Sequence, residues 1–258
     1  KQILPISNYS GHYFWFGDYE LNSINKNTKD NTGLKVKSIG SLRIELAKES
    51  IKKTGKTHQL YDVCLISEAT SNILSSGALD DHQYEYYQNN NIKLLKYCLN
   101  FCKKHNKKFL FLGRSSINSF DEFLKDEELL YYKYNNENLD FKINFFDKSK
   151  YDHIKHLMQS KLIVGTASTL LSESFGLKKK ILVCDWKNKN IKFDYNSSYF
   201  PGEGLLKLSS EDYKDFEKRS LQILNMNYDE YLSKVKNPKS IYNLDFDTLK
   251  FLRNEMLK

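Results

Sequence analysis

Residues 160–186, SKLIVGTASTLLSESFGLKKKILVCDW, restrict the fold of this chain more than any other stretch. They read as a buried strand at Leu162 to Val164, a turn of small residues, and a short helix carrying Glu173. A stop at Gly176 and a second buried strand at Ile181 to Cys184 follow. Two short apolar strands joined by a helix make a βαβ unit, with parallel strands and a right-handed crossover. Entry into the helix through Gly165, Thr166, Ala167, Ser168 and Thr169 leaves backbone N–H groups and the positive end of the helix dipole above the sheet edge. Such an end suits a phosphate-sized anion. Hydroxyls of Thr166, Ser168 and Thr169 can add donors, and Glu173, a turn further on, can accept bonds from ribose hydroxyls. An ordinary βαβ unit whose Ser168 and Thr169 only cap the helix fits the same residues.

The same alternation runs through most of the chain. Apolar runs predict strands at Tyr13–Phe16, Val36–Ile39, Val63–Ile66, Phe109–Leu112 and Phe141–Phe145, besides the two above. Helical patterns lie between them at Ser41–Lys53, Tyr84–His105, Phe120–Tyr132 and Tyr151–Gln159, with Asp121 and Glu122 suited to a helix start. The expected fold class is α/β, a Rossmann-like parallel sheet with flanking helices over residues 61–204 and a helical C-terminal tail over 205–258. A polar loop over 187–204, ending Pro201-Gly202-Glu203-Gly204, separates the two, and the tail reads as helices at Ser210–Asn225, Asp229–Val235 and Leu244–Met256. Residues 1–53 hold about two strands and a helix, too little for a Rossmann core of their own. Either they end a larger domain or they join the main sheet, and 54–60 reads as a linker.

Composition narrows the class. The 258 residues are 40% hydrophobic and 14% aromatic, enough for a packed core. A formal charge of +8 allows a nucleic-acid binder. The lysines are nevertheless scattered over loops and helix surfaces (Lys103-Lys104, Lys107-Lys108, Lys178 to Lys180) and form no basic arm. A solvated basic surface, or attraction to anionic donors, acceptors or lipid head groups, fits better, and no nucleic-acid partner is expected. Cys64, Cys98, Cys102 and Cys184 lack zinc or disulfide spacing and read as small apolar residues in a reducing compartment. With no signal peptide and no apolar run long enough for a membrane span, the expected location is the cytoplasm, extending to the inner face of the membrane.

In open parallel sheets ligands sit beyond the carboxyl ends of the strands. Those ends carry Ser67 and Glu68, then Gly113, Arg114, Ser115 and Ser116, then Asp147 to Lys150, then Gly165 to Thr169. Arg114 offers a permanent, forked charge to phosphate, or pairs with a carboxylate such as Asp121. Glu68 is a candidate catalytic carboxylate or ligand of sugar hydroxyls, and equally a cap for the turn that follows it. His153 and His156 sit three apart on one helix without a third metal ligand, so they read as a solvated face, and no metal site is expected. Walker, G-x-S-x-G and H-E-x-x-H motifs are missing, as is the G-x-G-x-x-G fingerprint of a Rossmann dehydrogenase.

Four segments in order, FWFGDYE at 14–20, SIGSLRIEL at 38–46, YDVCLISE at 61–68 with FLFLGRSS at 109–116, and the 160–186 stretch, resemble the bacterial surface-carbohydrate (capsule and lipopolysaccharide) biosynthesis proteins. The last segment is similar to the donor-nucleotide motif of GT-B glycosyltransferases. The resemblance implies a C-terminal-type GT-B donor domain at 61–204 and the end or remnant of an acceptor domain at 1–53. The last helices would then brace the two parts, with Leu244, Phe246, Leu249, Leu252 and Met256 as the apolar stripe. It also implies that Glu173 contacts ribose and that Gly165, Thr166, Ser168 and Thr169 contact phosphate; Ser67, Arg114 and Ser115, from the neighbouring strand ends, complete the expected donor site. His12, beside FWFG, becomes a candidate base. No Gly-Gly pair precedes the helix, which suits one phosphate better than two.

The function the resemblance implies is transfer of a sugar from a nucleotide sugar to a cell-surface glycan or glycolipid acceptor; the association with surface polysaccharide makes a CMP-linked acidic sugar a plausible donor, with UDP and GDP donors equally open. No cofactor or metal is needed if backbone dipoles and Arg114 carry the leaving group's charge. A nucleotide-sugar epimerase of GT-B fold, or a non-catalytic module that binds a nucleotide or partner, would keep the same motif.

Overall fold

The computed structural model describes residues 11–18, 34–53, 58–68, 81–117, 122–134, 139–166, 168–184, 186, 200 and 204–256, some of them, His12 included, through the backbone alone. Asp121, most of the 187–204 loop and positions 54–57 of the linker lie outside the described residues.

Strands β1 (Gly11–Trp15) and β2 (Leu34–Ser38) pair in parallel, Gly11 opposite Leu34, as a separate two-stranded sheet. Among the described residues neither strand pairs with the main sheet. Helix α1 (Leu42–Lys53) follows. Then come β3 (Tyr61–Ile66), α2 (Asp81–Lys104), β4 (Phe109–Ser116), α3 (Glu122–Tyr134), β5 (Ile143–Phe146) and α4 (Asp152–Met158). The alternation continues with β6 (Ser160–Gly165), α5 (Thr169–Gly176), β7 (Lys180–Cys184) and the two-residue β8 (Lys207–Leu208). Helices α6 (Tyr213–Asn225), α7 (Tyr228–Lys234), α8 (Pro238–Ile241) and α9 (Thr248–Met256) complete the described chain.

The main sheet is six-stranded and all-parallel, in the order β5-β4-β3-β6-β7-β8. From β3 the chain winds outward to β5, returns to pair β6 against β3, and winds the other way. The order therefore reverses between β3 and β6, where a doubly wound sheet opens a crevice at its carboxyl edge. Uniformly apolar strands belong at the centre of such a sheet, covered on both faces. Leu162, Ile163, Val164, Ile181, Leu182 and Val183 are all fully buried there.

Helix α9 starts at Thr248, later than the apolar pattern suggested, because Asp247 Oδ1 accepts from Lys250 N (2.9 Å) as a side-chain cap. It packs against α1, with Arg253 3.7 Å from Glu49 and the Thr248 hydroxyl donating to the Ile39 carbonyl. Just before it, Asn243 N donates to Phe16 O (2.8 Å) and its side-chain amide to Ser38 O (3.0 Å). The Tyr242 ring lies between two glycines: a Cβ on Gly176 would come within 2.5 Å of it, and one on Gly40 (φ +80) within 2.9 Å of its hydroxyl.

Two surface expectations are corrected. Lys180 is buried, its ammonium donating to Ile223 O (2.6 Å), Leu224 O (3.1 Å) and Met226 O (2.5 Å), so it closes the end of α6. His153 is 5% exposed and His156 half-buried, its ring 4.1 Å from that of Phe146, because this face of α4 packs inward.

Candidate nucleotide site at the carboxyl edge

The turn after β6 lies on one side of the reversal and Ser67-Glu68, after β3, on the other. Glu68 Oε1 accepts from the backbone N–H of Thr166 (3.1 Å) and of Ser168 (2.9 Å), and Oε2 from the Thr166 hydroxyl (2.5 Å). The donors expected to hold phosphate therefore converge, and in this structure the anion they hold is a carboxylate of the chain itself. Small residues permit the approach: a Cβ on Gly165 would stand 3.3 Å from Glu68 Oε1 and 3.2 Å from Leu171. Ser168 caps α5 by accepting from Leu170 N (3.3 Å), while Thr169 is exposed at the first helical position. Thus Gly165, Thr166, Ser168 and Glu68 come together, and Glu68 serves as a tie across the crevice.

A similar arrangement closes the end of β4. Glu128, on α3 and 4% exposed, accepts from Arg114 N (2.9 Å), Ser115 N (3.0 Å) and the Ser115 hydroxyl (3.0 Å). Ser115 is thereby committed to α3. The Arg114 side chain is exposed and makes no ion pair among the described residues. Ser67 is buried, its hydroxyl donating to Tyr132 Oη (3.2 Å) and its N–H to Leu112 O (2.9 Å), so it faces the core below the edge.

Glu173 sits deeper, 2% exposed, on the buried side of α5. Its Oε1 accepts from the Ser41 hydroxyl (2.8 Å) and Arg43 Nε (3.1 Å), and Oε2 from Arg43 Nη2. Ser41 N in turn donates to Tyr242 Oη (2.8 Å). The carboxylate assigned to ribose is thus held by the segment before and inside α1. The sequence pattern singled out SIGSLR without a role for Ser41 or Arg43; an arginine in the first turn of an otherwise amphipathic helix was the available signal. It also missed Glu128. His12 lies on β1 opposite Lys35, with its side chain outside the described residues. Among those residues no group of three or more His, Cys, Asp or Glu side chains is arranged to hold a metal ion, and no helix is long and apolar enough to cross a membrane.

No protein-family model matches the chain, and no curated protein matches it. Solved structures do. UDP-GlcNAc 2-epimerase from Neisseria meningitidis, bound to UDP-GlcNAc, is similar at 15% identity and a TM-score of 0.50, over 95% of this chain and 61% of that one. The wall teichoic acid polymerase TagF is similar at 12% identity and a TM-score of 0.48, over 98% and 58%. A putative UDP-N-acetylglucosamine 2-epimerase from Listeria monocytogenes gives 11% identity and a TM-score of 0.46, over 91% and 55%. The chain spans between 55% and 61% of the length of these proteins. The likeness is one of fold, and the fold is the Rossmann-like α/β architecture of the GT-B type.

Proposed function

We propose that the chain binds the nucleotide of an activated sugar at the carboxyl edge of its six-stranded sheet, as the donor half of a metal-independent glycosyltransferase acting on a cell-surface glycan or glycolipid. The observation that carries this reading is the convergence of Thr166 N, Ser168 N and the Thr166 hydroxyl on a single carboxylate at the point where strand order reverses. A phosphate oxygen is an acceptor of the same charge and size and takes those donors in place of Glu68. Arg114, one strand further along the same edge, supplies charge for the leaving group. One cluster of donors suits one phosphate, which favours a CMP-linked acidic sugar over a diphosphate donor. The reaction then runs in the cytoplasm against an acceptor presented at the membrane face.

Calorimetric titration with CMP, UDP and GDP, followed by incubation with radiolabelled nucleotide sugars and a lipid-linked glycan, tests the reading. Label on the acceptor supports a transferase. An altered sugar nucleotide indicates an epimerase, the activity named for the meningococcal neighbour of the same fold. Binding without turnover indicates a non-catalytic module. No nucleotide binding in any arm overturns the site.

A further inference from the structure

His153 is a buried polar group without a hydrogen-bond partner among the described residues. It stands in the first turn of α4, is 5% exposed, and neither of its ring nitrogens has a hydrogen-bond partner among the described residues. Buried imidazole nitrogens left unpaired are costly, and in native structures such a group calls for a specific explanation. Its position suggests one. Helix α4 follows β5 and α5 follows β6, so the first turns of both helices stand at the carboxyl edge of the sheet. Helix α1 packs against α4, bringing the guanidinium of Arg43 close enough for its charge to act on the His153 ring, and Arg43 is the partner of Glu173. The orphaned imidazole and the ribose-assigned carboxylate thus share one cationic neighbour.

We infer that His153 is a ligand-binding residue which, with the Arg43-held Glu173, forms the nucleoside end of the donor site and exchanges hydrogen bonds with uncharged polar groups of the nucleoside. This rests on the nucleotide-sugar reading and extends it. Burial first, then the charges of Arg43 and Lys148, hold the imidazole down to about 4, so the ring is neutral at ordinary pH. A neutral imidazole has one donor and one acceptor nitrogen, which matches a hydroxyl or a base edge and not a phosphate.

The test uses the full chain, His153→Leu and His153→Gln, titrated with cytidine, 2′,3′-dideoxycytidine, CMP and inorganic phosphate. Leu keeps the bulk and removes the unpaired nitrogens, so its thermal midpoint should hold or rise by roughly 3 °C. Its affinity for cytidine and CMP should fall about tenfold alike, the scale of one lost hydrogen bond in a buried site, while inorganic phosphate is unaffected. Gln, an uncharged donor and acceptor, should restore most of the cytidine affinity. Loss of the effect with dideoxycytidine assigns the bond to ribose; its persistence assigns it to the base. A fall in the midpoint of both variants would make the ring a packing element and overturn the inference. So would a stable His153→Leu protein that binds cytidine as the wild type does. If the wild type itself binds no nucleoside or nucleotide, the donor-site reading fails and takes this inference with it.

Discussion

Two turns at the carboxyl edge are closed by the same chemistry and differ in what is joined. At the end of β4, Glu128 takes two backbone N–H groups and a hydroxyl from Arg114 and Ser115, 13 to 14 residues before it in the chain. After β6, Glu68 takes the same set from Thr166 and Ser168, 98 to 100 residues away. The first is a local tie between a strand and its own following helix, buried at 4% exposure. The second spans the crevice where the sheet reverses, and its carboxylate is half-buried. A carboxylate in a closed local turn is part of the scaffold, whereas one that bridges an open crevice occupies a place that a ligand can take.

The largest expected effect tests the scaffold half of that contrast. Glu128→Ala leaves three donors at the end of β4 without their buried acceptor and should lower the unfolding free energy by about 3 kcal/mol. Glu68→Ala, at the wetter turn, should lower it by about 1 kcal/mol. Urea unfolding of the two variants measures both, and equal losses break the comparison.

Acidification gives a second handle on the same edge. The folded pKa of His153, about 4, lies below the ordinary 6.5, so the unfolded chain takes up a proton that the folded one refuses. Stability from this group is therefore complete above about pH 6.5 and is lost as pH falls to about 4. The shift caps the loss near 3 kcal/mol, and relaxation around the charged ring should bring it to about 2. His156, also lowered by burial, adds in the same direction. His153→Leu should flatten most of the slope in unfolding measured between those pH values; an unchanged slope would place the acid sensitivity in the carboxylate ties instead.

A smaller effect concerns Glu173, whose carboxylate is held by the guanidinium of Arg43. Arg43 is 45% exposed and water can satisfy it, so Glu173→Gln should keep the fold. Replacing the carboxylate by a poorer acceptor should weaken cytidine and CMP binding by about 1–2 kcal/mol. Calorimetry that finds neither ligand affected would remove Glu173 from the site.

The contrast also shows how much of the fold is legible in the sequence. Strands such as Ile181–Cys184 were readable because uniform apolar runs bounded by Gly and Lys have few other places to go. The two-residue β8 was not, since Lys207-Leu208 is too short to carry a period. Gly165 to Ser168 could be read as an anion turn from residue types alone, because an N-terminus made of small and hydroxyl residues exposes its N–H groups in any fold. That Glu68 fills it depends on β3 and β6 becoming neighbours, a pairing no local pattern encodes. Arg43 and Tyr242 reached their places through contacts between distant segments, and Lys180 looked like one more surface lysine in a run of three. What sequence supplied was the donor chemistry of each strand end; which carboxylate answers it is decided by topology.

The last prediction asks whether Arg114 belongs to the open crevice or to the scaffold beside it. Its backbone N–H is bound to Glu128, yet its guanidinium is exposed and has no ion pair among the described residues. The fold therefore uses the main chain at this position and leaves the side chain over. Substitution by Ala keeps the N–H and its bond to Glu128, so stability should not change measurably, unlike Glu128→Ala. An exposed guanidinium facing phosphate is screened by solvent and contributes modestly, so CMP affinity should fall by about fivefold at low salt and less as salt is raised. Cytidine, which carries no phosphate, should bind as before. Titration of Arg114→Ala with both ligands at two salt concentrations reads this directly. Equal loss for cytidine and CMP would mean that the side chain supports the turn's shape, and the distinction between a scaffold tie at β4 and a ligand crevice at β6 would then have to be redrawn around Glu128.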